Sequence, residues 1–329
     1  MNRFLAVAVL AFTMVAPMRA ADVPNVLPAE TEQIVYVNFR QILESDLMKK
    51  FALGQFKQAL KQNDAQKMLE EIGLDPLKDL DKVYAGFWGK DPQNMDGVAV
   101  ITGKFDADKL LKAAEKTAKD KGDKVAIVEE GDYKLIKITG DKGKPFYASV
   151  ANEKTIIGGS DKKLVVAGLK AVVNNGKPTL SKELAALVLK QDDKASMWLV
   201  GMTEGKLGEV NVPEIPGVDA KALKTSLNKL NNIAFTIRLG EDVTIALTGG
   251  MKDADAADEF AATLGKLVEL GKAFLPLAAN NAPQAKPLID DIVKTIKSEA
   301  KEKDVKLSFK LSGDAIGKAA EGDKEKDKE

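Results

Sequence analysis

The chain has no histidine and no cysteine among its 329 residues. The first absence removes the imidazole general base, and with it every Ser-His-Asp and Cys-His arrangement. The second removes thiolate nucleophiles, disulfide staples and thiolate metal sites, so packing alone must hold the fold. A lipid-modified N-terminal cysteine is excluded on the same ground. Arginine is almost missing beyond residue 20, where only Arg40 and Arg238 stand among many lysines. Lysine lacks the planar fork that grips phosphate or carboxylate, so dedicated clamps for anionic substrates are not expected. Aromatic residues make up 5% of the chain, and two tryptophans, Trp88 and Trp198, are too few for the platforms of a sugar cleft. Both lie inside apolar alternation and read as core or sheet-face residues.

Charge is balanced, with 49 basic and 49 acidic residues. The first twenty, Met1 to Ala20, read as a secretory signal peptide. Arg3 supplies the positive start, Phe4 to Val15 form an apolar run interrupted by Thr13, and Ala20 and Ala21 offer small residues for cleavage. The run is short for a membrane span, so no transmembrane segment is expected in the mature chain. Loss of Arg3 and Arg19 with the leader takes the mature chain to a formal charge of −2. No clustered positive surface is foreseen, which argues against nucleic acid as a partner.

Two stretches about 150 residues apart repeat one design. Gly97 to Ala114 and Val243 to Ala261 each read as an apolar strand, then Thr-Gly, then Asp-Ala-Asp opening a helix. Upstream, Ile34–Phe39 matches Ser196–Met202, and Val83–Trp88 matches Ile233–Leu239, in the same order. The pattern predicts a duplicated unit, with residues 21–178 as the first α+β repeat and 179–320 as the second. The alternating charges of Glu321–Glu329 have nothing to bury, and a disordered tail is expected there.

Periodicity supplies the elements. Strands are expected at Ile34–Phe39, Val83–Trp88, Gly97–Phe105, Val125–Glu129, Tyr133–Thr139, Phe146–Ala151 and Thr155–Ile157. Helices are expected at Ile42–Lys61, Ala65–Ile72, from Asp106 to Asp120, and at Lys162–Val173. Gly73 reads as the glycine that ends a helix. In the second half, helices are expected at Ala220–Leu230, at Ala254–Leu275 ending before Pro276, and at Leu288–Ser298. Strands there are Ile233–Leu239, Thr244–Thr248 and Val305–Leu311. Hairpins outnumber crossovers, so the fold class is α+β, a duplicated unit of antiparallel strands packed with helices.

Candidate sites each have a plainer explanation. Ser160-Asp161-Lys162-Lys163 has serine-lysine spacing, but so do Ser226-Leu227-Asn228-Lys229 and Ser298-Glu299-Ala300-Lys301, and the companion motifs are missing. Ser160 is better read as a helix N-cap. Gly158-Gly159 and Gly249-Gly250 end strands without continuing as a phosphate loop, and tight turns need glycine anyway. The acidic groups Asp106/Asp108 and Asp253/Asp255/Asp258/Glu259 lack calcium-loop spacing and suit the first turn of a helix. Asp96, Glu153 and Glu241 lie beside strands where turns are expected. No catalytic, cofactor-binding or metal residue is therefore assigned, and no cofactor is expected.

Three segments carry a resemblance: Leu27-Pro28-Ala29-Glu30-Thr31 before the first strand, Gly73-Leu74-Asp75-Pro76-Leu77-Lys78-Asp79-Leu80-Asp81 before Val83, and Lys252-Asp253-Ala254-Asp255-Ala256-Ala257. In these the chain resembles the exported, paralogous two-repeat proteins of planctomycete-type bacteria. The resemblance implies location and architecture, and it brings no activity or site residue with it. The expected role is that of an exported, non-enzymatic envelope or surface protein, periplasmic or at the cell surface, that binds an envelope or protein partner or serves a structural purpose. A periplasmic carrier of an apolar ligand is the alternative, and a carboxylate-based hydrolase the third reading.

Overall fold

The computed structural model describes residues 25–61, 69–70, 73–89, 94–120, 124–140, 144–174, 176, 179–204, 207, 217–280 and 282–326. The segment read as a signal peptide and most of the helix expected at Ala65–Ile72 lie outside the described residues, although residues 69–70 are helical.

Among the described residues, twelve strands form a single antiparallel sheet, which makes the fold α+β. In chain order they are β1 (Gln33–Asn38), β2 (Leu80–Trp88), β3 (Asp96–Gly103), β4 (Val125–Glu130), β5 (Tyr133–Ile138), β6 (Phe146–Asn152), β7 (Thr155–Gly159), β8 (Met197–Met202), β9 (Leu230–Leu239), β10 (Val243–Met251), β11 (Lys297–Lys301) and β12 (Asp304–Leu311). The helices are α1 (Phe39–Glu44), α2 (Leu53–Lys61), α3 (Pro76–Asp79), α4 (Ala107–Asp120), α5 (Lys162–Val173), α6 (Lys182–Leu189), α7 (Ala220–Leu227), α8 (Ala254–Ala279), α9 (Lys286–Thr295) and α10 (Gly313–Lys326).

The sheet order is β11-β12-β10-β9-β8-β1-β2-β3-β7-β6-β5-β4. Outward from the central β1/β8 pair, β1-β2-β3-β7-β6 on one side faces β8-β9-β10-β12-β11 on the other. β5 and β4 extend the first side.

One sheet face closes over the larger core. Ile34 and Tyr36 on β1 lie beside Gly86 and Tyr84 of β2 and beside Val200 and Trp198 of β8. Val98 and Val100 of β3 and Ile157 of β7 continue this face. Leu27, Val165 and Leu169 of α5, and Leu184 and Val188 of α6, cover it. Alternation with a period of two sends every second side chain into this core, as the apolar pattern requires. A smaller core lies at the other end, where Phe260 and Ala257 of α8 meet Val305 and Leu230.

Several boundaries differ from the sequence expectations. α8 continues through Pro276 to Ala279, because a proline near a helix end removes one hydrogen bond and the turn can bend around it. α7 stops at Leu227, since Leu230 is drawn into β9 and packs over Gly249. β11 lies where a helix was expected to finish. Its Lys297, Glu299 and Lys301 hide the strand pattern because both its faces are largely solvent-exposed. α6 has no counterpart among the expected helices; Ser181 caps it by accepting from the Leu184 N–H at 3.2 Å. α10 runs to Lys326 and so carries part of the charged tail as helix.

Candidate functional site

The side of the central sheet opposite the larger core is almost as apolar as the core side, yet it is partly exposed, and α8 closes it only at its Val305 end. Strand register aligns two rows across it. One runs Ala99, Ala85, Val35, Leu199, Phe235, Leu247 and Leu307, from β3 to β12. The other runs Ile156, Ile101, Val83, Val37, Met197, Ile237, Ile245 and Phe309, from β7 to β12. Neither row contains a charged or hydrogen-bonding side chain. The neighbouring core-facing residues Ile34, Tyr36, Trp198 and Val200 are fully enclosed, whereas Val35, Val37, Leu199, Phe235 and Ile237 are partly exposed and Leu247 is 44% exposed. An antiparallel sheet with one solvated face normally alternates apolar with polar residues. These strands alternate apolar with apolar, and large exposed apolar areas on soluble proteins mark contact surfaces.

The core face changes character in the second half. Past Trp198 it continues as Thr236, Ala246 and Ser308, and past Val200 as Ala234, Thr248 and Lys306. All of these except Ser308 floor a pocket of about 340 Å³ bordered by Gln191, Asp192 and Arg238. Arg238 pairs with Asp192, Lys190 with Asp304 at 3.1 Å and Lys306 with Glu299 at 3.8 Å, so each of its cations already has a carboxylate partner.

A pocket of about 770 Å³ lies at the ends of β1, β2 and β9 and includes Arg40. Arg40 is not available to a ligand. Its guanidinium donates to Asp81 Oδ1 at 3.1 Å and to the carbonyls of Leu77, at 3.1 Å, and Lys78, at 2.5 Å, which fixes α3 against the sheet. Nearby Gln41 donates to the Leu239 carbonyl at 2.5 Å and accepts from Ser196 Oγ, which itself accepts from the Leu239 N–H at 2.7 Å. This network ties the first half to the second.

The sequence candidates resolve into structural roles. Ser160 is not the cap of α5: Asp161 is, accepting from the Lys163 N–H at 2.7 Å. Ser160 instead donates to Asp96 Oδ1 and accepts from the Gly97 N–H, both at 3.1 Å, joining β7 to the start of β3. Asp96 also faces Lys144 at 3.6 Å. Asp106 accepts from the Lys109 N–H at 3.0 Å and Asp253 from the Ala256 N–H at 2.8 Å, so both cap helices. Asp108 and Glu153 line a separate pocket beside Asp106, while Glu241 lies in the β9–β10 turn near Asp242. Asp255, Asp258 and Glu259 fall in the first turns of α8, with Glu259 paired to Lys229. Gly158 and Gly249 owe their lack of a side chain to close packing under Phe146 and Leu230, not to an unusual backbone angle. The positive angle belongs to Gly73, at φ 66°, where the N–H groups of Gly73 and Leu74 reach back to the carbonyls of Glu70 and Leu69.

Carboxylates that the fold displaces from their ordinary acidity move downward. Lys78 lowers Asp75, the Lys109 backbone N–H lowers Asp106, and Lys310 with the Gly313 N–H lowers Asp242. Such groups are held ionised, as caps and ion-pair partners are. Burial pushes the Tyr36 phenol up. Among the described residues, no group of three acidic side chains is placed to hold a metal ion, and no helix is long and apolar enough to cross a membrane.

No protein-family model matches the sequence, and no curated protein is recognisably similar to it. Among solved structures, the chain is similar to crystal form III of TP0453, with a TM-score of 0.49 and 8% identity over 91% of this chain and 98% of that one.

Proposed function

We propose that the protein is an exported, non-enzymatic envelope or surface protein that binds a partner through the open apolar face of its central sheet. The observation that carries this reading is the pair of uncharged rows through Val35 and Val37, left partly exposed where the residues behind them, Ile34, Tyr36, Trp198 and Val200, are sealed. Burying such a face against a partner stabilises the complex by roughly 25 cal/mol for each Å² removed from water. The mirrored strand order about β1 and β8 supports the reading of residues 21–178 and 179–320 as two copies of one unit, as the planctomycete-type resemblance implies. Export rests on the leader at Met1 to Ala20.

The test is photo-crosslinking in the native envelope, with a photoreactive residue at position 235 on the apolar face or at position 248 on the polar one. A discrete adduct from position 235 alone is the expected result. Equal adducts from both positions, or none from either, contradict it.

A second reading, carriage of a small apolar ligand, draws on one pocket of about 490 Å³ lined by Leu60, Leu69, Leu74, Pro76 and Leu77. A stoichiometric apolar molecule retained in native mass spectrometry would favour it.

A further inference from the structure

The outward stripe of α8 changes chemistry along its length. Lys266 and Glu269 occupy it in the middle of the helix, and Ala273, Phe274, Pro276 and Leu277 occupy it at the end. Phe274 is 57% exposed and Leu277 60%, three positions apart and so on neighbouring turns of one face. No charged residue occurs between Lys272 and Lys286, the longest uncharged stretch beyond residue 20 in a chain that is 30% charged. Pro276 has no N–H to offer the Lys272 carbonyl, which loosens the last turns where these side chains project.

We propose that this tip is a lipid-docking element that seats Phe274 and Leu277 in the interfacial layer of an anionic phospholipid bilayer. The size of the patch favours lipid over protein. The two side chains expose on the order of 200 Å², against about 800 Å² per partner in a stable protein interface. A bilayer accepts so small a wedge, because an amphipathic helix end needs to reach only the headgroup and upper acyl region. Lys272 and Lys286 bracket the uncharged stretch, paired with Glu269 at 3.0 Å and Asp290 at 2.9 Å; Lys286 is well exposed, and an exposed pair of this kind is weak enough for its ammonium to turn to a lipid phosphate. The inference does not depend on the sheet face, and failure of the crosslinking test would leave it standing.

The absence of cysteine makes the test direct. A fluorophore sensitive to polarity is attached to mature full-length protein carrying Leu277→Cys, or Leu189→Cys as an exposed apolar position elsewhere. With vesicles of phosphatidylethanolamine and phosphatidylglycerol, the label at position 277 should brighten and shift to shorter wavelength, and the label at position 189 should not. Co-sedimentation of the unlabelled protein should fall about tenfold in the Phe274→Ser/Leu277→Ser double variant, whose melting should be unchanged because both side chains are exposed. Failure of the unaltered protein to sediment with vesicles, equal sedimentation of the double variant, or a response at position 189 equal to that at 277 would overturn the proposal.

Discussion

Trp198 is fully enclosed, and its ring stacks on Tyr36 at 5.0 Å while meeting Tyr84 edge-on at 6.4 Å. Tyr36 and Tyr84 lie on strands of the first half and Trp198 on the second, so these three rings join the halves through the core. Trp198→Ala should cost about 3–5 kcal/mol in denaturant unfolding, the range for emptying a large aromatic site. A loss below about 1 kcal/mol would mean that the cluster is not the central packing unit. Asp242 makes a different contribution. It receives the Lys310 ammonium and the Gly313 N–H at 3.0 Å, and both hold its acidity below the ordinary carboxylate value. A group whose folded pKa is lowered adds stability above its unfolded pKa and loses it as pH falls through the folded one. The difference in stability between the unaltered protein and Asp242→Asn should therefore be constant near neutrality and shrink below about pH 4. A gap that grows on acidification would contradict the assignment. Alternation indicated that the tryptophans would be core or sheet residues, whereas the partners of Asp242 come from β12 and the start of α10, which no local pattern could name.

Elements with regular periodicity and a clear cap could be read directly from the chain. Lys162–Val173 is a helix at the expected bounds, and hairpins such as β4–β5 turn at Gly131, whose φ of 60° suits glycine. Elements stabilised by tertiary contacts could not. β11 is a charged strand held to β12 and flanked by α8, so its apolar content is too low to announce it. Ser160 shows the same limit at a candidate site. Its position before a helix suggests a cap, but Gly97 and Asp96, more than sixty residues away, claim its hydroxyl. Ser160→Ala should therefore destabilise the β3–β7 junction by about 1 kcal/mol while leaving the helicity of α5 intact. Fraying of α5 by hydrogen exchange in that variant would return Ser160 to the role of a cap.

Across the whole molecule, β1 and β8 have two apolar faces, one sealed at Ile34, Tyr36, Trp198 and Val200 and one partly exposed at Val35, Val37 and Leu199. The sequence displays both, because Ile34-Val35-Tyr36-Val37 is a continuous apolar run, but it does not say which face the helices take. That depends on where α5, α6 and Leu27 pack, and those are long-range contacts. On this account the stability of the sheet rests on Ile34 and Val200, while Val35 and Phe235 belong to the face proposed to meet a partner. Paired lysine substitutions test this division most directly, by melting temperature. Ile34→Lys and Val200→Lys each bury an unpaired ammonium in the core and should abolish cooperative unfolding or lower its midpoint drastically. Val35→Lys and Phe235→Lys place the same charge on the open face and should lower the midpoint only slightly. Equal damage from both pairs would mean that the apolar face is closed, and would contradict the account.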